Sequence, residues 1–424
     1  MSLKYVHFIG CGGAGTQPLA LIFHEQGYLC SGSDLIENNR TAALKTAGVT
    51  VAAPGHRREN LPAEANAENA LVVFSSAATD ENPELQEARE RGIRTVRRGE
   101  ALAIIAKRFP VTIAVGGSHG KTSVTSSIVH ILNELGVAPG YLIGGNLCGN
   151  APSGTAGAGK IFVSEVDESD STIACFHASL GVVTNVEDDH SWSVGGVENL
   201  FASFRTFAAN AERLLYVPGE NPDRLFQEFA GKSVCMTGIP AAIQKRAGWG
   251  GFQRENAAMA VKAVSMILPE IPVEKIIEAM LTFSGVERRM TLRKQNEKYL
   301  VIEDYAHHPT ELAASISAFR ENYPDKRLVI VFQPHRYARL QRYFDEFKAV
   351  LSRADRIFIT PVFAAWTADA PVNSHTLAEA IGEKATALDG DWAAIGSAVK
   401  KELQENDVTA VIGAGDLPEI FQYL

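Results

Sequence analysis

Val115-Gly-Gly-Ser-His-Gly-Lys-Thr-Ser123 is the stretch that decides the fold of this chain. The apolar run 111–115 leading into it has the composition of a buried strand, and 122–135 beyond it has helical character. A glycine-rich turn between a strand and a helix is the setting of a phosphate loop, where main-chain N–H groups and a helix N-terminus supply positive potential. Gly117 and Gly120 let the backbone approach a polyphosphate, and Ser118, His119 and Ser123 belong to the same turn. Lys121 is placed for the β- and γ-phosphates of such a ligand, and the Thr122 hydroxyl for Mg²⁺. Only two residues separate Gly117 from Gly120, fewer than in G-x-x-x-x-G-K-[ST], and an ordinary strand-to-helix turn has the same local form. The rest of the chain has to choose between these.

Towards the N-terminus, a strand at 5–9 runs into Gly10-Cys-Gly-Gly-Ala-Gly15, a helix extends to about Gly27, and a second strand ends at Ser33-Asp34. This is a βαβ unit whose glycine turn is followed by an acidic residue about twenty positions on, a pattern that fits a dinucleotide or another nucleotide equally well. Further strands are expected at 72–75 and 94–96. Beyond the phosphate loop, strands at 160–164 and 180–184 alternate with helices at 197–207 and 255–266. After Gly285-Val-Glu-Arg-Arg289 come strands at 299–303, 327–332, 356–360 and 408–412, with helices expected at 310–322, 339–352 and 373–382. The fold class is therefore α/β, as three consecutive domains at 1–108, 109–292 and 293–424.

Composition narrows the function. With 424 residues, 46% hydrophobic and 21% charged, the chain has the make-up of a multidomain globular enzyme. A net charge of −9 argues against general binding to nucleic acid or to an anionic membrane, so any anionic ligand must be held by local groups. The five cysteines are scattered, without a C-x-x-C pair, which fits a reducing cytoplasm. No leader or membrane-spanning segment is expected.

Four further groups carry chemistry. Glu165-Val-Asp-Glu-Ser-Asp170 closes an apolar strand, where carboxylates are well placed to hold Mg²⁺, and a solvated acidic loop is the alternative. Thr184-Asn-Val-Glu-Asp-Asp-His190 closes the next strand and offers His190 as a metal ligand or a structural histidine. Asp304-Tyr-Ala-His-His-Pro309 supplies a carboxylate for a ribose and an aromatic ring for a base. Gln333-Pro-His-Arg-Tyr-Ala-Arg339 supplies His335, Arg336 and Arg339, suited to grip a carboxylate in forked fashion.

Taken in order, these pieces, with Ser75-Ser-Ala77 and Asn82-Pro-Glu84, resemble the Mur ligase family over essentially the whole chain. The resemblance implies a Rossmann-like UDP-sugar domain, a central ATP domain and a Rossmann-like amino-acid domain. It implies an ATP-dependent acid–amino-acid ligase of peptidoglycan precursor synthesis, joining L-alanine to the carboxylate of UDP-N-acetylmuramate through an acyl phosphate. By match, Lys121, His190 and Arg289 would be catalytic, and Thr122, Glu165 and His190 would hold Mg²⁺. Asn256, Asp304 and Tyr305 would join the loop in binding ATP. Gly12, Gly13, Ala14, Gly15, Ser33, Asp34 and Ser75 would hold the UDP-sugar, and His335, Arg336 and Arg339 the amino acid.

The chain departs from the family pattern in four respects. It is shorter than most members, with the economy in the middle domain. The family's G-T-H-G-K-T-T reads Gly117-Ser-His-Gly-Lys-Thr-Ser123, the leading residues of its H-N-x-x-N motif are Phe252 and Gln253, and its third-domain Gly-Glu is Trp366-Thr367. Three alternatives stand beside the L-alanine ligase: a ligase that recycles murein tripeptide onto the same sugar, a nucleotide-binding protein that has lost the chemistry, and a dehydrogenase.

Overall fold

The computed structural model describes residues 3–75, 77–145, 151–169, 172–189, 191–296, 298–365 and 371–424. Three mainly parallel sheets follow one another along the chain, giving a three-domain α/β fold. In the first sheet Tyr5–Ile9 lies at the centre, between Leu29–Ser33 and Ala70–Phe74, with Thr50–Val51 and Arg94–Arg97 outside. In the second, Val111–Gly116 is flanked by Leu180–Val183 and Ile161–Glu165. In the third, Asp407–Ile412 lies between Tyr299–Asp304 and Arg327–Phe332. Apolar, β-branched runs form these central strands because a parallel sheet covered on both faces buries both faces of each strand. All of Val331, Phe332, Val408, Ala410, Val411 and Ile412 are within 1% of full burial.

Each sheet reverses its strand order beside its central strand. A crevice opens there at the carboxyl ends of the strands, where ligands of open α/β sheets bind. The Gly10–Gly15 turn leaves the central strand of the first sheet at such a point, and the phosphate loop leaves that of the second.

Packing divides the chain into two compact units, Met1–Pro240 with Asn256–Ser284, and Ala241–Glu255 with Gly285–Leu424. Within the first unit one apolar core runs from Val6 and Phe8 through Phe162 and Phe204 to Phe226, so the first two sheets share a core. The helix Thr16–Glu25 is tied to the edge strand Gly154–Thr155 of the second sheet, since Glu25 accepts hydrogen bonds from the Thr155 hydroxyl and the Ala156 N–H. Within the second unit, segment 241–255 joins the third sheet's layer through an Arg254–Glu321 ion pair and the approach of Gly250 to Ala318.

One expected helix is corrected. Instead of a single helix over 339–352 there are two, Tyr337–Arg342 and Phe344–Leu351. Tyr343 breaks the line at φ −113°, ψ 31°, and its ring packs edge-on against His308 at 4.6 Å. Among the described residues no helix is long and apolar enough to cross a membrane.

Candidate active site

The phosphate loop has the backbone that its glycines imply. Gly117 and Gly120 take φ of +133° and +83°, and Gly120 caps the helix Lys121–Glu134. A Cβ on Gly117 would stand 2.1 Å from the Thr184 Oγ1, and one on Gly120 would stand 3.0 Å from the Asn256 Oδ1, so neither position accepts a side chain without movement. The segment after the neighbouring strand clasps the loop from behind. The His119 N–H donates to Asn185 Oδ1 at 2.8 Å, and Asn185 Nδ2 and Thr184 Oγ1 both donate to the His119 carbonyl. Ser118 accepts from the Glu187 N–H, and His119 lies 3.3 Å from the Glu187 carboxylate. Thr184 and Asn185 therefore hold the loop's shape, a role that nothing in their linear spacing reveals.

Both chemical groups of the loop are engaged by the acidic run that follows the strand Ile161–Glu165. The Thr122 hydroxyl donates to Glu165 Oε2 at 2.9 Å, and the Gly144 N–H donates to the same oxygen. Lys121 Nζ donates to both oxygens of Glu168, at 3.0 and 2.9 Å, and to the carbonyls of Gly117 and Ser118. Glu168 is wholly buried and Lys121 nearly so. Burial pulls the Lys121 ammonium down, but the charges of Glu168, Asp167 and Glu165 outweigh it and raise its pKa. Burial also pushes the Glu168 carboxyl up, to about 7, against the pull of Lys121. The two-oxygen contact favours the charged pair. Asp167 is held below the ordinary carboxylate value: burial raises it, while Lys121, the Ser169 N–H and Arg98 bring it down. Glu168 was not singled out from sequence, because four acids stand in one short run and only the fold selects which faces the lysine. His190, expected as a catalytic and metal-binding residue, lies outside the described residues.

The first sheet brings its expected residues together around the glycine turn. The Gly12 N–H donates to Asp34 Oδ2 at 2.8 Å, and the Ser75 hydroxyl faces Gly10. Ser33 is turned inward: its hydroxyl is buried and donates to Glu84 Oε2 at 2.6 Å. Gly13 and Gly15 complete the turn with Ala14 before the helix Thr16–Glu25 begins.

In the second unit, residues after the strand ends of the third sheet gather in the same way. Asp304 is buried, with its carboxylate accepting from the N–H groups of Met290 and Ala306 and from the Ser315 hydroxyl. The guanidinium carbons of Arg288 and Arg289 lie 4.8 and 5.1 Å from the centre of the Tyr305 ring. Arg288 also donates to Glu303 and to the Gly413 carbonyl, and Arg289 stands 3.9 Å from Glu311. Arg339 is buried and directs Nη1 to His335 Nδ1 at 3.4 Å. His335 stacks on Phe363 and meets His307 edge-on. Arg336, at φ +69°, is anchored by its N–H to the Phe363 carbonyl. Trp366 and Thr367 lie outside the described residues.

These imidazoles are neutral near pH 7. Burial, followed by the neighbouring His307, Arg339 and Arg336, lowers His335 to about 3, and burial lowers His307 to about 4, with Glu311 opposing and Arg339 and Arg289 assisting. A histidine whose folded pKa lies below its ordinary 6.5 contributes in full above pH 6.5, and the contribution is lost as pH falls towards the folded value. His335→Asn should therefore lessen the drop in melting temperature between pH 6.5 and 4 by roughly 3–5 °C. An identical drop in both proteins would show that His335 does not contribute.

Two family models match the chain: residues 5–110 match "Mur ligase family, catalytic domain" and residues 288–415 match "Mur ligase, glutamate ligase domain". The UDP-N-acetylmuramate–L-alanine ligase of Desulfotalea psychrophila is 33% identical over an alignment of 448 positions, covering 97% of this chain and 96% of that protein. The crystal structure of a UDP-N-acetylmuramate-alanine ligase from Thermotoga maritima superposes with a TM-score of 0.77 at 23% identity, covering 99% and 97% of the two chains. That of a murein peptide ligase from Psychrobacter arcticus superposes with a TM-score of 0.65 at 21% identity over the same shares.

Proposed function

This chain belongs to the Mur ligase family, and we propose that it is the ATP-dependent ligase that joins L-alanine to the carboxylate of UDP-N-acetylmuramate in peptidoglycan precursor synthesis. The observation that carries this is the 33% identity sustained over 97% of the chain to a ligase of that substrate and amino acid. The phosphate loop supports it, since Lys121, Thr122 and their carboxylates form one connected group.

The reaction has two stages. The muramoyl carboxylate attacks the γ-phosphorus of ATP, forming an acyl phosphate and releasing ADP. The amine of L-alanine then attacks the acyl carbon, the amide forms, and inorganic phosphate leaves. Such phosphoryl transfer depends mainly on positioning and charge neutralisation. Lys121 and Arg289 would neutralise charge on the transferring group. Gly117, Ser118, His119, Gly120 and Ser123 would cradle the phosphates, with Asn256, Asp304 and Tyr305 towards the nucleoside. The glycine turn with Ser33, Asp34 and Ser75 would hold the UDP-sugar. His335, Arg336 and Arg339 would receive the amino acid, with Arg339 acting through His335.

A hydroxyl and a carboxylate oxygen 2.9 Å apart, Thr122 Oγ1 and Glu165 Oε2, are the hard donors that Mg²⁺ prefers. With His190 they would hold the ion, which would supply Lewis-acid stabilisation of the phosphate oxygens. Domains at 1–108, 109–292 and 293–424 fit this division of labour. The use of ATP and of small-molecule substrates supports a cytoplasmic setting.

The test is ADP release from ATP and UDP-N-acetylmuramate against L-alanine, glycine, L-serine, L-leucine and the murein tripeptide. L-Alanine should give the highest kcat/KM, with L-leucine about 100-fold or more below it. Turnover with the tripeptide alone would make this a recycling ligase, and no turnover with any donor would leave a binding protein.

A further inference from the structure

Arg98 is the first residue of the helix Arg98–Ala106, and its side chain lies against the glycine turn. A Cβ on Gly15 would stand 3.1 Å from Arg98 Cδ, 3.2 Å from Nη1 and 3.3 Å from Nε. The missing side chain at Gly15 thus makes room for a guanidinium, and not only for a ligand. The next residue fixes where Arg98 starts. A Cβ on Gly99 would fall 1.9 Å from the Oγ1 of Thr172, so the helix start is pressed onto the buried residue that follows the acidic run of the phosphate site. Arg98 therefore stands where the glycine turn and the acidic run meet, within one compact unit and one apolar core.

The glycine turn needs such a cation. The side chains nearest its glycines are Ser75, Asn38, Thr41, Asp34, Thr16 and Arg98, and Arg98 is the cation among them. The Gly12 N–H already faces the Asp34 carboxylate. The whole chain carries a charge of −9. A diphosphate entering this turn would meet helix N–H groups but also a carboxylate, and a planar guanidinium with several donors is the group that balances its charge.

We propose that Arg98 binds the diphosphate of the sugar nucleotide, as a binding residue for that substrate that spans from the glycine turn to the acidic run of the phosphate site. This rests on the assignment of a UDP-sugar to the glycine turn. Its consequence is a division of effects. The sugar nucleotide must reach from the turn to the phosphate loop, and Arg98 fixes its middle while leaving ATP and the amine donor to other residues.

Steady-state kinetics of Arg98→Gln and Arg98→Lys, with UDP as a competitive probe, test the proposal. Arg98→Gln should raise the KM for UDP-N-acetylmuramate and the inhibition constant of UDP together by about 10- to 100-fold, the loss of a charge-assisted contact. The KM values for ATP and L-alanine should stay within about twofold, and Arg98→Lys should recover part of the loss. If Arg98 served only to set the helix start against the acidic run, the ATP KM or kcat would change while the UDP constants held, and the proposal would fall. Unchanged constants throughout would also overturn it. Failure of the assignment beneath it looks different: wild-type protein itself would then ignore UDP and UDP-N-acetylmuramate, and both inferences would go together.

Discussion

Lys121→Ala should reduce ADP release by about 10³-fold or more, because the ammonium that neutralises the transferring phosphoryl group is gone. The structure adds a second effect. Lys121 is also the partner of Glu168, which is wholly buried. Removing one member of a buried ion pair leaves the other without compensation, at a cost of about 3–5 kcal/mol where the charge persists. The Glu168 carboxyl is already pushed up to about 7 by burial, so it has an escape: in the variant it can take up a proton. Lys121→Ala should consequently be measurably less stable than wild type, and Lys121→Ala/Glu168→Gln should recover most of the melting temperature while remaining inactive. Stability and catalysis are thus separated by one added substitution. Near-wild-type turnover in a folded Lys121→Ala protein would remove the loop from the mechanism. A double variant no more stable than the single would show that Glu168 does not depend on Lys121.

The second large effect is expected at Glu84, far in sequence from the phosphate loop. Its side chain is wholly buried beneath the glycine-turn domain. It receives hydrogen bonds from the Ser33 hydroxyl, the Asn60 amide and the Arg57 N–H, and its oxygens lie 2.9 Å from His7 Nε2 and 3.2 Å from His56 Nδ1. Burial alone would raise its pKa, but His7, Ser33 and Asn60 together overcome this and bring it from an ordinary 4.5 to about 2. The folded value lies below the unfolded one, so the carboxylate's contribution is complete above pH 4.5 and disappears as pH falls towards 2. The shift corresponds to about 3 kcal/mol. Glu84→Gln should lose on the order of that amount at pH 7, because an amide N–H₂ would face donors that need an acceptor. The stability difference between wild type and variant, followed by denaturant titration, should shrink steadily from pH 4.5 to 2. A difference that stays flat over this interval would mean that the carboxylate's charge is not what holds Ser33 and the turn.

How much of this was legible beforehand varies with the kind of feature. Tyr5–Ile9, Val111–Gly116, Arg327–Phe332 and Asp407–Ile412 lie where their apolar runs put them, because a strand buried on both faces leaves a continuous signal. Thr291–Gln295, largely exposed and carrying Arg293 and Lys294, leaves none, and neither do two- and three-residue edge strands such as Thr50–Val51 and Ser233–Cys235. A helix expected over 339–352 is split at Tyr343, whose contact with His308 comes from a different strand's loop.

By itself, the sequence determined three α/β domains, the phosphate loop at Gly117–Thr122 and the glycine turn at Gly10–Gly15. These depend on chemistry that is local: strand periodicity, positive φ at glycine, and a lysine and a threonine next to a helix start. Only the tertiary structure decided that Glu168, among four neighbouring acids, grips Lys121. It likewise decided that Ser33 turns inward to Glu84 and that Arg98 fills the space left by Gly15. Each of these pairs side chains whose separation in space is set by packing of distant segments, and the physical quantities that matter there, burial and charge at contact distance, have no counterpart in linear spacing.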